Sequence, residues 1–210
     1  MIVGKITDIA RQKRNTSRVS VFIDGEFACG LDAVAAAGAR IKIGDEITAE
    51  ELKKVVFSSE VNSAFDRAAS YLSSVPRSRR EVYTKLRDKG YDKDVIDETM
   101  SRLVAYKYVD DKAYAECYIK SKSKQYGKFR LAAELKKKGV SSEIIDELLN
   151  GGGEDATDAA RKYLRAHPSA DVPRLKRFLA GRGFSWDAVS YAVSEVADEM
   201  QSSDDDYYDD

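Results

Sequence analysis

The sequence predicts a mainly α-helical protein: a tandem array of three three-helix repeats preceded by a small N-terminal β-rich domain. Three observations predict it. A short phrase occurs three times, as Leu86-x-x-Lys89-Gly90-Tyr91, Leu135-x-x-Lys138-Gly139-Val140 and Leu179-x-x-Arg182-Gly183-Phe184. Apolar residues agree at offsets −8, −4, +1, +5, +6 and +10 from each of these glycines, and the glycines are 49 and 44 residues apart, a helical-repeat period. The first 57 residues instead show strand alternation and an Asp24-Gly25 hairpin signal. In each phrase the Leu faces a core, the cation sits on the negative end of the helix dipole, and the Gly supplies a left-handed stop. Repeat arrays are usually binding surfaces, which points toward recognition and away from catalysis.

The N-terminal part, residues 1–57, reads as a three- or four-stranded sheet. Ile2 to Ile9 alternates loosely, and Val19, Val21 and Ile23 share one side of a second strand. The polar stretch Arg11 to Ser17 is expected to loop between them. Glu26 to Leu31 continues as a third strand, Asp32 to Ala37 makes a helical turn ended by Gly38, and Ile41 to Ile47 is a short strand and turn. Thr48 followed by Glu51 is a capping box opening a helix that carries Leu52, Val55, Val56, Val61 and Phe65 at helical spacing.

The remainder divides into 58–107, 108–150 and 154–200, three helices each. In the first, Ala64 to Ser73 is followed by a helix capped by Ser78 with Glu81, then one capped by Asp92. In the second, helices start at Asp111, after Gly127 and at Ser141. In the third, they start at Asp155, at Pro173 in a first turn, and at Ser185. Gly151-Gly152-Gly153 predicts a joint about which the third repeat swings. Residues 201–210 have the composition of a disordered acidic tail, one that folds back on the basic repeats as a DNA mimic.

Charge is balanced overall, with 35 Lys and Arg against 36 Asp and Glu in 210 residues. It is segregated along the chain. Residues 64–150 carry 19 cations and 14 acids, residues 161–183 carry seven cations against Asp171, and residues 195–210 carry eight acids and no base. Cys29 and Cys117 lack metal-type spacing and read as reduced thiols. No membrane-length apolar run or signal-peptide pattern occurs, so a cytoplasmic protein is expected.

Chemistry finds little support. The single histidine, His167, sits beside Pro168 in an expected loop and reads as solvated. No nucleotide-binding loop, paired-cysteine metal motif or cofactor fingerprint is present, so no cofactor is expected. Asp110-Asp111 reads as a helix cap rather than a metal site.

The candidate binding residues are basic. Arg77, Arg79 and Arg80 open a helix where the dipole disfavours cations. Lys120, Lys122, Lys124, Lys128 and Arg130 form a second group and Arg174, Lys176 and Arg177 a third, with Lys136 to Lys138, Arg161, Lys162 and Arg165 nearby. Tyr71, Tyr83, Tyr106, Tyr108, Tyr114, Tyr118, Tyr126 and Tyr163 are interleaved with them. This composition suits nucleic-acid phosphates and bases, or an acidic protein surface met by aromatic anchors; solvated cations over core tyrosines are the bland alternative.

Arg77-Ser78-x-x-Glu81-x-x-x-x-Leu86-x-x-Lys89-Gly90, Tyr108-Val109-Asp110-Asp111-x-x-Tyr114-Ala115-x-x-Tyr118 and Gly127-x-x-Arg130-Leu131-x-x-Glu134-Leu135-x-x-Lys138-Gly139-Val140, in that order, resemble the RecX family of recombination regulators. The resemblance covers about residues 64–200 and is strongest over 77–140; the N-terminal sheet is similar to an extension found in some members, and the acidic tail departs from the common pattern. It implies a non-enzymatic, monomeric, cytoplasmic regulator of homologous recombination, DNA repair and the SOS response. Such a regulator binds the RecA recombinase filament, meets its single-stranded DNA indirectly or weakly, suppresses ATP hydrolysis and strand exchange, and limits filament growth. A stand-alone DNA-binding module is the alternative.

Overall fold

A computed structural model describes residues 2–150 and 153–197. The predicted acidic tail and two of the three joint glycines lie outside them. The described architecture is four strands and ten helices, and the chain divides into two compact units between Val109 and Asp110.

The first unit opens with an antiparallel sheet of order β3-β2-β1-β4, from β1 (Ile2–Gln12), β2 (Asn15–Ile23), β3 (Glu26–Asp32) and β4 (Glu46–Thr48). Alternation in β2 puts Val19, Val21 and Ile23 in a core with Ile6, Leu31, Ala36, Ile47 and Val55. Asp24 and Gly25 both adopt positive φ, 50° and 88°, the backbone required by the two-residue hairpin turn between β2 and β3. Asp24 also accepts the Lys5 N–H at 2.9 Å, which ties the turn to β1.

One N-terminal expectation needs correction. Arg11 to Ser17 is not a loop: β1 and β2 run on until Gln12 pairs with Asn15, leaving only Lys13 and Arg14 to turn. Asn15 Oδ1 accepts from Ser17 N–H at 3.1 Å, a local bond compatible with the strand. The polar run misleads because both faces of this extension are wet. Ile41 to Ile47 is a short strand and turn, as expected: Glu46 and Ile47 are strand, and before them Asp45 accepts the Lys42 N–H at 2.9 Å and Gly44 takes φ 99°. The helical turn is present as α1 (Ala33–Gly38), capped by Asp32.

Thr48 and Glu51 form the expected reciprocal box at the start of α2 (Ala49–Leu72). This helix is continuous over 24 residues, so the expected separate start at Ala64 does not occur. No Gly or Pro interrupts the segment. Its first half packs on the sheet through Val55, and the Ser59 hydroxyl accepts the Asp32 N–H at 2.5 Å. Its second half supplies Val61, Ala64 and Ala68 to the core of the first repeat.

That repeat is completed by α3 (Arg79–Arg87) and α4 (Lys93–Ala105), which contribute Val82, Leu86, Val95, Ile96, Met100 and Leu103. Ser78 and Glu81 cap α3 reciprocally. Asp92 stands at the N-cap of α4, but its side chain makes no cap bond.

The second unit holds the other two repeats. The first comprises α5 (Asp111–Lys122), α6 (Lys128–Lys137) and α7 (Ser142–Asn150) around Tyr114, Ala115, Leu135, Val140 and Ile145. The second comprises α8 (Thr157–Ala166), α9 (Val172–Gly181) and α10 (Trp186–Glu195) around Leu175, Leu179, Phe184, Val189 and Val196. Asp110 caps α5 through the N–H groups of Lys112 and Ala113, as expected of a capping aspartate.

All three repeated glycines take positive φ: 84° at Gly90, 86° at Gly139 and 81° at Gly183. In each copy the residue after the glycine donates its N–H to the carbonyl of the Leu five residues before it, Tyr91 to Leu86, Val140 to Leu135 and Phe184 to Leu179. The glycine N–H in turn reaches the carbonyl three back. This is the Schellman arrangement, and its apolar pair, such as Leu135 with Val140, is buried in the repeat core.

Candidate functional site

The second and third repeats are joined by backbone, which corrects the predicted swing. Gly127 donates its N–H to the Arg182 carbonyl at 3.0 Å, and Phe129 donates to the Gly183 carbonyl at 3.1 Å. The N-terminus of α6 therefore lies against the C-terminal stop of α9. Both glycines are needed for this approach. A Cβ at Gly127 would fall 2.2 Å from Gly183 O, and one at Gly183 would fall 2.5 Å from Arg130 N. The carboxylate of Glu154 closes the junction, accepting Lys128 N–H at 2.5 Å and Ser185 N–H at 2.9 Å. One side chain thus satisfies the first turns of two helices, where free N–H groups and the positive dipole end favour an anion.

This junction presents cations over aromatic rings. The Arg130 guanidinium lies 4.2 Å from the Tyr126 ring centre, and Arg182 approaches the same ring at 5.6 Å and Phe178 at 5.0 Å. Lys128 reaches over Phe129 at 5.4 Å and Lys176 over Trp186 at 5.4 Å. Phe129 and Trp186 are 62% and 66% exposed, unusual for side chains that bury so much area in cores and interfaces. Each of these helix starts thus offers a solvent-facing aromatic ring beside a cation.

Several predicted binding residues converge here and others do not. Lys124, Lys128 and Arg130 belong to the junction. Lys124 pairs with Asp158 at 3.2 Å, both side chains largely in water. Lys120 and Lys122 lie in the last turn of α5, where the helix dipole favours them. Arg174 and Arg177 are exposed on the early turns of α9, and Arg177 Nε donates to Pro173 O at 3.3 Å. Arg79 and Arg80 are exposed on the first turn of α3 in the other unit, where the Ser78–Glu81 box offsets their unfavourable position. Arg77 is placed differently from its neighbours: its guanidinium lies 4.6 Å from the Tyr71 ring centre, and its Nε is buried without a hydrogen-bond partner. Its side chain is largely engaged in packing.

The tyrosines also divide. Tyr114 is buried, and burial raises the pKa of Tyr118 above its ordinary value, with Glu134 adding to the shift and Lys138 opposing it. Tyr106 and Tyr108 are exposed and meet Phe65 edge-to-face at 6.0 and 5.6 Å. Sequence reasoning passed over Arg182, Phe129, Trp186 and Glu154. Arg182 reads as the cap cation of its phrase, and nothing in a linear pattern shows that two helix starts share Glu154. Among the described residues no cluster of His, Cys, Asp and Glu could hold a metal ion, and no helix is long and apolar enough to cross a membrane.

Comparison with known proteins accords with this arrangement. Residues 4–48 match the family model described as the regulatory protein RecX N-terminal domain, residues 64–103 the RecX first three-helix domain, and residues 110–149 the RecX second three-helix domain. The regulatory protein RecX of Clostridium tetani is 31% identical over 205 residues, spanning 92% of this chain and 95% of that one. That of Bacillus subtilis is 33% identical over 202 residues, 91% of this chain and 76% of that one. A crystal structure of regulatory protein RecX matches with a TM-score of 0.72 at 21% identity over 92% of this chain and all of that one. A RecX structure from Lactobacillus salivarius gives 0.59 at 24% identity over 67% of this chain and 98% of that one. These two structural likenesses bear on the fold alone.

Proposed function

Because the chain belongs to the RecX family of regulatory proteins, we propose that it binds the RecA recombinase filament on single-stranded DNA and restrains ATP hydrolysis and strand exchange, acting in the cytoplasm without a cofactor or chemistry of its own. The observation that carries this reading is the pairing of exposed aromatic rings with cations at the α6–α9–α10 junction. Aromatic residues and arginine are the side chains that most often dominate the energy of protein interfaces. Surrounding cations steer an acidic partner and fix its orientation more than they add affinity. Lys120, Lys122, Lys124, Lys128, Arg130, Arg174, Lys176 and Arg177 supply that charge in the second unit, and Arg79 and Arg80 supply it in the first.

The test is RecA ATPase on single-stranded DNA titrated with this protein. Reversing Lys122, Lys124 and Lys128 to Glu should raise the concentration giving half-inhibition at least tenfold and flatten its salt dependence. Inhibition equal to that of the unaltered protein would reduce these cations to a solvated face. The same rings and cations also fit stacked bases and phosphates, so DNA binding without recombinase is the competing reading. Fluorescence anisotropy with an oligonucleotide alone separates the two: weak binding supports the filament, and tight binding with a steep salt slope supports the DNA module.

A further inference from the structure

Beside the junction, α8, α9 and the end of α5 enclose a half-open pocket of about 220 Å³. Its wall is aromatic. The Tyr163 and Phe178 rings stack with centres 4.2 Å apart and planes 23° apart, and His167 adds a third ring 4.6 Å from Tyr163. Its rim is cationic, formed by Lys124, Lys162 and Arg182. The only acid paired with that rim among the described residues is Asp158, through the exposed 3.2 Å contact with Lys124, a bond readily exchanged for another carboxylate.

We propose that this pocket is a binding site for an aromatic side chain flanked by carboxylates, and that its occupant is the chain's own C-terminal stretch, residues 204–210. That stretch reads Asp-Asp-Asp-Tyr-Tyr-Asp-Asp, two tyrosines bracketed by five acids with no base. It offers a phenol ring to the Tyr163–Phe178 wall and carboxylates to the rim on either side. The charge match is local: residues 161–183 hold seven cations against one acid, and residues 195–210 hold eight acids.

Reach is sufficient. Tyr207 lies ten positions beyond Ala197, the last described residue, and an extended chain of ten steps spans up to about 35 Å. The helices α8, α9 and α10 are ten residues each, about 15 Å long. A tether this short holds the tail near the pocket at about millimolar effective concentration, so even a weak contact is populated. The occupied pocket would hide Arg182 and Lys124 from any acidic partner. This site does not depend on the RecA reading, because it is tested in the protein alone.

The experiment compares amide NMR spectra of the full chain and of a protein ending at Met200, which keeps every buried residue of the third-repeat core. Shifts should differ around Lys124, Lys162, His167 and Arg182, independently of protein concentration. The full chain carrying Tyr207→Ala and Tyr208→Ala should return to the truncated spectrum. Unchanged pocket shifts would overturn the proposal, and so would shifts that grow with concentration, which mark a second copy as the occupant. A fluorescein-labelled peptide of residues 201–210 should bind the truncated protein, with Lys162→Glu weakening it at least fivefold at low salt and less at 0.5 M. If an oligothymidine binds the full and truncated proteins with equal affinity and shifts the pocket in both, the site belongs to nucleic acid and the tail assignment fails.

Discussion

The backbone N–H of Gly127 donates to the carbonyl of Arg182 at 3.0 Å, joining the start of one helix to the end of another 55 residues later. The contact exists because neither Gly127 nor Gly183 carries a Cβ. One added at Gly127 would meet Gly183 O, Phe184 N and Phe184 Cα at 2.2 Å, all backbone that cannot swing aside. Gly127→Ala should therefore destabilise the second unit by about 3 kcal/mol, as overpacking does. Gly181→Ala is the control: no atom lies within 4 Å of its added Cβ, and it should change stability by less than about 1 kcal/mol. Urea unfolding of the two variants checks this, and equal midpoints would show that the junction yields without cost.

Glu154 makes the second prediction. Its two oxygens separately accept N–H groups at the starts of α6 and α10. Hydrogen bonds to a charged group contribute about 1.5–3 kcal/mol, and a stranded donor costs more than a lost pair. Glu154→Ala should cost about 2 kcal/mol, and Glu154→Gln should recover part of it by accepting at one of the two sites. Amide exchange is the specific readout: protection should fall at Lys128 and Ser185 while the core of the first unit stays unchanged.

Much of the fold is legible in the sequence, and the reason is local. The Leu, Gly and apolar residue of each phrase are the donors, acceptors and left-handed backbone of one Schellman stop, so a six-residue pattern specifies a complete structural unit, as Leu86, Gly90 and Tyr91 show. The capping box of Thr48 and Glu51 is equally self-contained. What the sequence hides is contact between such units. Arg182 has the same pattern role as Lys89 and Lys138, yet it is the one whose carbonyl meets Gly127 and whose guanidinium meets Tyr126 and Phe178. The glycine run at 151–153 suggested freedom, but the tie lies in bonds from Gly127, Phe129 and Glu154 that no spacing announces. Arg77 stands apart from Arg79 and Arg80 for a similar reason: its partner ring, Tyr71, belongs to the preceding helix.

A pH dependence follows from Asp155. Its side chain accepts the Thr157 N–H at 2.8 Å at the start of α8, and hydrogen bonding by Thr157 is the main cause holding its pKa below the ordinary aspartate value. A carboxyl with a lowered folded-state pKa stabilises above its unfolded value and loses that contribution as pH falls through the folded one. The loss therefore falls below about pH 4. Asp155→Ala should cost about 0.5 kcal/mol at pH 7, the low end for one hydrogen bond made by an exposed group, and the gap to the unaltered protein should narrow on acidification below pH 4. A gap constant from pH 7 to pH 2.5 would mean that the carboxylate form contributes nothing.

Arg130 distinguishes packing from recognition. Its guanidinium lies 4.2 Å from the Tyr126 ring centre, and that of Arg182 lies 5.6 Å from the same centre. Arginine stacks on a ring through a delocalised plane, whereas lysine supplies a point charge on a flexible stem. Exposed cation–π contacts contribute about 0.5–1 kcal/mol, so a double-mutant cycle between Arg130→Ala and Tyr126→Ala should give a coupling of that size. Arg130→Lys should lose most of the coupling while keeping the charge. If recognition of an acidic partner depends on charge, Arg130→Lys will inhibit RecA ATPase within about threefold of the unaltered protein and Arg130→Ala will fall well short of both. If both substitutions impair inhibition equally while stability differs, the stacked geometry itself meets the partner and the charge only accompanies it.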